Sequence, residues 1–485
     1  MTPINPSKHT RRAFLKRSAK LAISGTATPL ALNLAALGEA AAMTATDYKA
    51  LVCVFLYGGN DYANTVVRFD DAGHAQYTQL RSAGSNGTLA IPKSNLSSTE
   101  LKPAAALANG VKYALAPEMT GMSELFEQGR LAVQLNVGPL VVPLTRQQYN
   151  AKVLAQPPKL FSHNDQQSVW QAQGAEGSTR GWGGNLGDLA LSSNTDSMFT
   201  CISVAGNAVF LSGQNALQYQ CSKAGAVAVE TVRGSSWGQF MYQPAMRAAF
   251  EQMIQQQHTH VLANEYNRVM RRSLAAESKV TTAIGSVQPA TAFPADNSLG
   301  DQLKMVARLV GGRNSLGAKR QVFMVSLDGF DVHDGMATRQ PALLKKLSEA
   351  LTAFDAALQE LGVSDKVTTF TASDFGRTLS VNGDGTDHGW GGHQFVMGGA
   401  VKGKAFYGTP PPLSVGNTGA PEDQWHVGQG RLLPTTSVDQ FAATMAKWFG
   451  VSDDELYGVL PNLDNFGDRA NRPDYPVDLG FMRFS

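Results

Sequence analysis

Short continuous apolar runs, each closed by glycine or aspartate, set the rhythm of this chain. Ala50 to Leu56 leads into Tyr57-Gly58-Gly59-Asn60-Asp61, and Arg130 to Val137 into Gly138-Pro139. Gln321 to Leu327 leads into Asp328-Gly329, and Val367 to Ala372 into Ser373-Asp374. Runs of this length without polar alternation predict strands buried on both faces of a parallel sheet. Helical periodicity covers Glu118 to Gln128, Leu343 to Leu361 and Val438 to Phe449. Strands alternating with helices predict an α/β fold with a mostly parallel central sheet flanked by helices. Two stretches break the alternation. Residues 73–110, rich in Ser, Gly, Asn and Ala, read as an irregular insertion, and residues 237–285 as a helical insertion. Within the latter, His258 and His260 stand two apart, so a helix points them to different faces. Residues 286–297, with Pro289 and Pro294, read as a linker, and Asn462 to Ser485 as an irregular surface tail.

The N-terminus has its own pattern. Thr10-Arg11-Arg12-Ala13-Phe14-Leu15-Lys16 resembles a twin-arginine signal, followed by a moderately apolar stretch from Leu21 to Leu37. That stretch is broken by Ser24, Gly25, Thr26, Thr28 and Pro29, whereas a membrane span needs about 20 predominantly apolar residues. Ala40-Ala41-Ala42 offers a small-residue cleavage site. The expectation is a signal peptide over 1–42 and a single domain over 43–485. The chain would then be exported folded by the twin-arginine translocase, its partner in transit, to a periplasmic or secreted location.

Composition narrows the classes. The 485 residues carry a formal net charge of +2, with 43% hydrophobic and 16% charged residues. No basic run interleaved with aromatics points to nucleic acid, and no second apolar stretch points to an integral membrane span. Three cysteines, Cys53, Cys201 and Cys221, are too few for a disulfide scaffold. Cys53 reads as a buried thiol in its strand, while Cys201 and Cys221 could pair in an oxidising compartment.

The polar residues at the strand ends carry the chemistry. Asp61 follows the first run, Asp328, Asp331 and His333 the third, and Asp374 the fourth. Ligands of open parallel sheets bind beyond the carboxyl ends of the strands, so these groups should converge at one edge. Asp387-His388-Gly389-Trp390-Gly391-Gly392-His393 adds a glycine-rich loop with two histidines. Carboxylates with neutral imidazoles suit borderline divalent cations such as Zn²⁺ or Mn²⁺. Single aspartates and glycines at strand ends are ordinary turn residues; their joint occurrence at successive strand ends is what predicts a site. Arg377, three residues after Asp374, suits either a bidentate contact to an anionic substrate or a salt bridge. Gly181-Trp182-Gly183-Gly184-Asn185 reads as a loop lining the site or a tight turn, and Trp390 as a stacking or a packing residue.

The segments Tyr57 to Asp61, Ser162-His163, Ser326 to His333, Thr371 to Thr378 and Gly385 to His393 resemble, in that order, the DUF1501 family. This family of exported bacterial proteins is placed with the alkaline phosphatase and sulfatase superfamily. The resemblance implies an alkaline phosphatase-like fold and assigns residues by position. Asp61 matches a metal-binding aspartate, Asp328 or Asp331 with His333 a metal-binding pair, and Asp374 the aspartate of an Asp-His pair. His388 or His393 matches a final metal-binding histidine. Phe375 stands where the pair's histidine belongs. Ser162 matches the nucleophile, although serine is also a favoured helix cap. The sulfatase Cys/Ser-x-Pro-x-Arg sequence is absent, which disfavours classical sulfatase activity.

These readings predict an exported hydrolase of a phosphate or sulfate ester, on a small molecule or a polymer, using one or two divalent ions (Zn, Mn or Ca). That arrangement requires Asp61, Asp331, His333, Asp374 and His393 to meet within a few ångströms. The rival is a non-catalytic exported binding protein on the same fold. A redox role lacks both the Gly-x-Gly-x-x-Gly fingerprint and a Cys-x-x-Cys pair.

Overall fold

The computed structural model describes residue 43 and residues 45–82, 84, 87–227 and 244–484. The expected signal segment, 1–42, and the start of the expected helical insertion, 237–243, lie outside the described residues.

Among the described residues, thirteen strands are β1 Lys49–Leu56, β2 Val66–Arg68, β3 Glu100–Leu101, β4 Tyr113–Leu115, β5 Leu131–Gly138, β6 Cys201–Ser203, β7 Gln218–Ser222, β8 Gly225–Ala226, β9 Arg320–Leu327, β10 Val367–Ser373, β11 Gly392–Met397, β12 Ala405–Tyr407 and β13 Thr436–Ser437. Ten form the central sheet in the order β12-β5-β11-β10-β1-β9-β6-β7-β8, with β13 also on β5. β1 lies between β9 and β10 and is parallel to both, with Leu56 level with Leu327 and Ser373. Two strands run antiparallel to their neighbours: β8 at the edge pairs in opposite sense with β7, and inside the sheet β11 does so with both β10 and β5. β11 returns from β10 through a loop rather than a helix, and so runs backwards. The four strands expected from the apolar runs therefore share one direction.

The alternation of side chains along β1 builds two cores. Ala50, Val52, Val54 and Leu56 face one cluster with the helices Thr120–Glu127, Val261–Gly285, Ser298–Gly311 and Met336–Glu360. Leu51, Cys53 and Phe55 face the other, with the helices Trp182–Ala190 and Val438–Phe449. A strand buried on both faces has no polar side to show, which is why these runs read as unbroken apolar segments. The fold is mixed α/β, with a large, mostly parallel central sheet flanked by helices.

Several elements differ from expectation. The stretch 73–110 begins inside a helix, Asp71–Arg81, whose N-terminus is capped by Asp70 accepting from the Gly73 amide at 2.8 Å. The helical insertion contains two described helices, Pro244–Met253 and Val261–Gly285, with His258 in the break and His260 capping the second. Both histidines are exposed. The helix expected from Leu343 starts earlier, at Met336, because Pro341, which reads as a breaker, is accommodated within it. The Gly181 to Asn185 segment is not a loop: the helix begins at Trp182, which packs against Phe210 and Phe370. The three cysteines are buried free thiols. No described helix is long and apolar enough to cross a membrane.

Candidate metal centre

The carboxyl ends of β1, β9 and β10 deliver three loops to one edge of the sheet. Ser373 ties two of them, donating to the Leu56 carbonyl at 2.7 Å and accepting from the Asn60 amide at 2.9 Å. Gly58, at φ +112, allows the first loop to lie against the second, since a Cβ there would stand 2.2 Å from the Asp331 nitrogen. A fourth loop rises before β11; a Cβ on its Gly385 would stand 2.2 Å from the His333 carbonyl carbon. The glycines of the sequence motifs thus serve close backbone contact beneath the site.

On this platform stand His163, Asp331, His333 and His388. His163, Asp331 and His388 each offer a ligand atom within 4.8 Å of one another. His388 Nε2 lies 3.1 Å from His163 Nε2 and 2.9 Å from His333 Nε2. Asp331 faces all three, with Oδ1 3.0 Å from His333 Nε2 and 3.3 Å from His388 Nε2, and Oδ2 3.4 Å from His163 Nε2.

The outer ring nitrogens decide what this arrangement can do. His163 Nδ1 is 2.6 Å from Asp374 Oδ2, and His388 Nδ1 is 2.8 Å from the Phe161 carbonyl. His333 Nδ1 is 3.4 Å from Asp387 Oδ1. Carboxylates and carbonyls only accept, so in His163 and His388 Nδ1 carries the proton and Nε2 turns a lone pair inward. Two such lone pairs and the Asp331 carboxylate, their ligand atoms within 4.8 Å of one another and His333 Nε2 beside them, repel unless a cation lies among them. The donor set therefore fits a divalent ion, with the outer partners that orient metal-ligating imidazoles.

Local backbone supports this geometry. Phe161 holds φ +75, a costly conformation for an aromatic residue, and in it presents its carbonyl to His388. Its ring carries the Arg431 guanidinium at 5.1 Å, and Arg431 Nε donates to the His388 carbonyl at 2.7 Å.

Electrostatics follow from these contacts. The hydrogen bond to Asp374 raises the pKa of His163 above the ordinary imidazole value, against the effect of burial. Burial lowers that of His388. Burial would raise the Asp331 carboxyl, but the Arg377 hydrogen bond and charge outweigh it and hold the group below the usual range.

The full set expected from the sequence does not assemble, so a hydrolase centre built on Asp61, Asp331, His333, Asp374 and His393 fails in that form. Asp331, His333 and His388 meet, whereas Asp61 and His393 lie elsewhere. Asp61 is enclosed, paired with Arg81 at 2.8 Å, and caps the helix Tyr62–Thr65 through the Asn64 amide. His393 points into the protein between Tyr62 and Tyr113 and accepts from the Asn136 amide at 3.1 Å. Burial brings its pKa down to about 3, so it is a neutral structural histidine. Asp374 stands behind the cluster, shared by His163 and by Gln167 at 2.9 Å. Asp328 is exposed on the loop after β9, its pKa raised by burial of the carboxyl and by the Asp374 charge.

Arg377 takes the salt-bridge alternative. Fully buried, it donates to Asp331 Oδ1 at 2.9 Å and the Gly58 carbonyl at 3.0 Å, out of reach of a substrate. Ser162 precedes the helix His163–Ala172, but its hydroxyl makes no cap bond and donates instead to Asp165 at 2.9 Å. Phe375, in place of a histidine, lays its ring against His163 and His388 at 4.9 and 4.6 Å between centroids. Trp390 packs beneath the loop and donates to the Pro139 carbonyl at 2.6 Å. Sequence reasoning missed His163 and Asp387 as site residues. His163 stands with His333, His388 and His393 among the loop histidines of the sequence, but residue type alone does not mark it as a ligand.

With this geometry in place, the comparisons with known proteins can be weighed. No curated protein matches the chain. Among solved structures, it is similar to the lipoteichoic acid synthase LtaP from Listeria monocytogenes, at 9% identity over 77% of this chain and 69% of that one, with a TM-score of 0.28. It is also similar to a multiply substituted alkaline phosphatase PafA, at 12% identity over 69% of this chain and 64% of that one, with a TM-score of 0.28. The model of a family described as protein of unknown function, DUF1501, matches residues 48–462, and the chain belongs to that family.

Proposed function

We propose that the chain is an exported, metal-dependent hydrolase of a phosphate or sulfate ester, built on His163, Asp331, His333 and His388. One observation carries the metal reading: the Nε2 atoms of His163, His333 and His388 face the Asp331 carboxylate, and the outer Nδ1 of His163 and of His388 is held by an acceptor. Three imidazoles and one carboxylate suit Zn²⁺ or Mn²⁺ better than Ca²⁺, which prefers an all-oxygen shell. When bound, such an ion supplies Lewis acidity toward an ester oxygen. The chain's own residues do the rest. Asp374 and the Phe161 carbonyl hold the tautomers of His163 and His388, and Asp331 supplies negative charge. Ser162 stands beside His163 with its proton directed to the Asp165 carboxylate at 2.9 Å, the pairing of a nucleophile with an acceptor. The ester class rests on the superfamily resemblance of the motifs, and export on Arg11-Arg12.

The test is direct. Protein purified without chelator should hold Zn or Mn in near-stoichiometric amount, and His163→Ala should lose it. A screen of phosphomonoesters, phosphodiesters and sulfate esters should give turnover that Ser162→Ala abolishes while keeping the metal. An empty centre sinks the reading; metal without turnover on any ester leaves an exported binding protein. Replacing Arg11-Arg12 by lysines should retain the chain in the cytoplasm.

A further inference from the structure

We infer that the centre takes one divalent ion rather than two, and that the buried line Arg81–Asp61–Thr386–Arg377 holds Asp331 as its fixed anionic ligand. The inference rests on the metal reading above and concerns how that site is built.

The first step is an account of the carboxylates. Among the described residues at this edge, Asp61 is neutralised by Arg81, with both side chains fully enclosed. Asp374 gives Oδ2 to both His163 and Gln167 and keeps Oδ1 buried without a partner, while Asp387 bonds Asn382 at 2.6 Å and lies 3.4 Å from His333 Nδ1. Asp328 has no side-chain partner, and a lone carboxylate does not make a second site. Only Asp331 points into the imidazole cluster, so the donors suffice for one ion.

The second step concerns what fixes Asp331. The Thr386 hydroxyl accepts from Arg377 Nε at 2.9 Å and donates to Asp61 Oδ2 at 3.3 Å. Arg377 Nη2 bonds the Thr386 carbonyl, while Nη1 reaches Asp331 Oδ1 and the Gly58 carbonyl. Two arginines and two aspartates thus alternate along one line, and only its last member, Asp331, meets solvent. The guanidinium of Arg377 is held from three sides and cannot follow a substrate. It keeps Oδ1 in place and leaves Oδ2 on the side of His163. Arg377 and Thr386 are positioning residues, and their effect should appear in metal affinity. Partners of this kind typically change metal affinity by about 10–100-fold when removed.

The experiment titrates Zn²⁺ or Mn²⁺ calorimetrically into the full chain after chelator treatment, with elemental analysis of the loaded protein. The expected wild-type result is one ion per chain. Thr386→Val should weaken binding about 10-fold or more, Thr386→Ser should bind as wild type, and Thr368→Val, which alters a buried β10 threonine whose hydroxyl has no partner, should be unchanged. Arg377→Lys, which keeps the charge but cannot span Thr386 and Asp331 together, should weaken binding as Thr386→Val does. Circular dichroism of the metal-free variants checks that each is folded. Two ions per chain, or wild-type affinity in folded Thr386→Val or Arg377→Lys, overturns the inference. No ion at all overturns the metal reading beneath it.

Discussion

Asp61 and Asp331 follow neighbouring strands, and each is paired with an arginine, yet they have opposite fates. The Asp61–Arg81 pair is sealed, with neither side chain exposed, and the carboxylate's other contacts are a helix cap and a threonine hydroxyl. Asp331 gives one oxygen to Arg377 and remains 44% exposed, with three imidazoles around it. The chemistry of the two pairs is the same; what differs is whether anything unpaired is left facing solvent. A carboxylate enclosed with its own cation is frame. A carboxylate that keeps an open side among imidazoles with fixed tautomers is a candidate ligand.

Removing one partner from each region should separate frame from site most clearly. Arg81→Ala leaves Asp61 charged and enclosed, a change expected to cost about 3–5 kcal/mol. His333→Ala, at a side chain 42% exposed, should cost at most about 1 kcal/mol in the metal-free chain. Denaturant unfolding in chelator measures both. Similar losses would mean that the imidazole cluster is also structural, and the contrast would collapse.

A third aspartate sharpens the comparison by supplying enclosure without a cation. Asp439, in the first turn of the helix Val438–Phe449, is buried with one oxygen unpartnered, and burial raises its pKa to about 7. Between the ordinary carboxyl value of 3.8 and about 7 the folded chain holds a proton that the unfolded chain has released. Stability should therefore fall as pH rises through this window, by at most about 4 kcal/mol. Asp439→Asn should flatten that slope. A slope that persists in the variant would show that enclosure alone does not govern this carboxylate.

The sequence revealed the parts of the molecule that follow from local pattern. Fully buried strands have no polar alternation, so β1, β5, β9 and β10 were visible as apolar runs, and the turn residues after them marked the edge where the site lies. The helix Ser298–Gly311 was equally visible in principle: Asn297 caps it, and Leu299, Leu303, Val306 and Val310 recur at helical spacing. Its start was obscured by the proline-containing segment before it. β6 has only three residues and owes its place to pairing with β7 and β9. At the site, residue type pointed to Asp331, His333 and His388 but could not separate them from Asp61 and His393. That separation depends on Arg81, 20 residues from Asp61 in sequence, and on which face of β11 His393 occupies. Neither fact is local.

The smallest expected effect tests the apolar side of the open region. Phe375 stands next to Asp374 and cannot hold a metal, yet its ring lies against both His163 and His388. Aromatic contacts of this kind contribute about 0.5–1.5 kcal/mol beyond burial. Phe375→Leu keeps an apolar side chain but loses the flat surface that limits how the two imidazoles turn. The Nδ1 partners of those rings remain, so metal affinity should fall only about three- to tenfold, with stoichiometry intact. Calorimetric titration of Zn²⁺ or Mn²⁺ reads this directly. An unchanged affinity would make Phe375 simple filler. Loss of the ion would mean that the ring, rather than the hydrogen bonds behind it, holds the imidazoles together, and the contrast between a sealed frame and a hydrogen-bonded open site would have to be redrawn around packing.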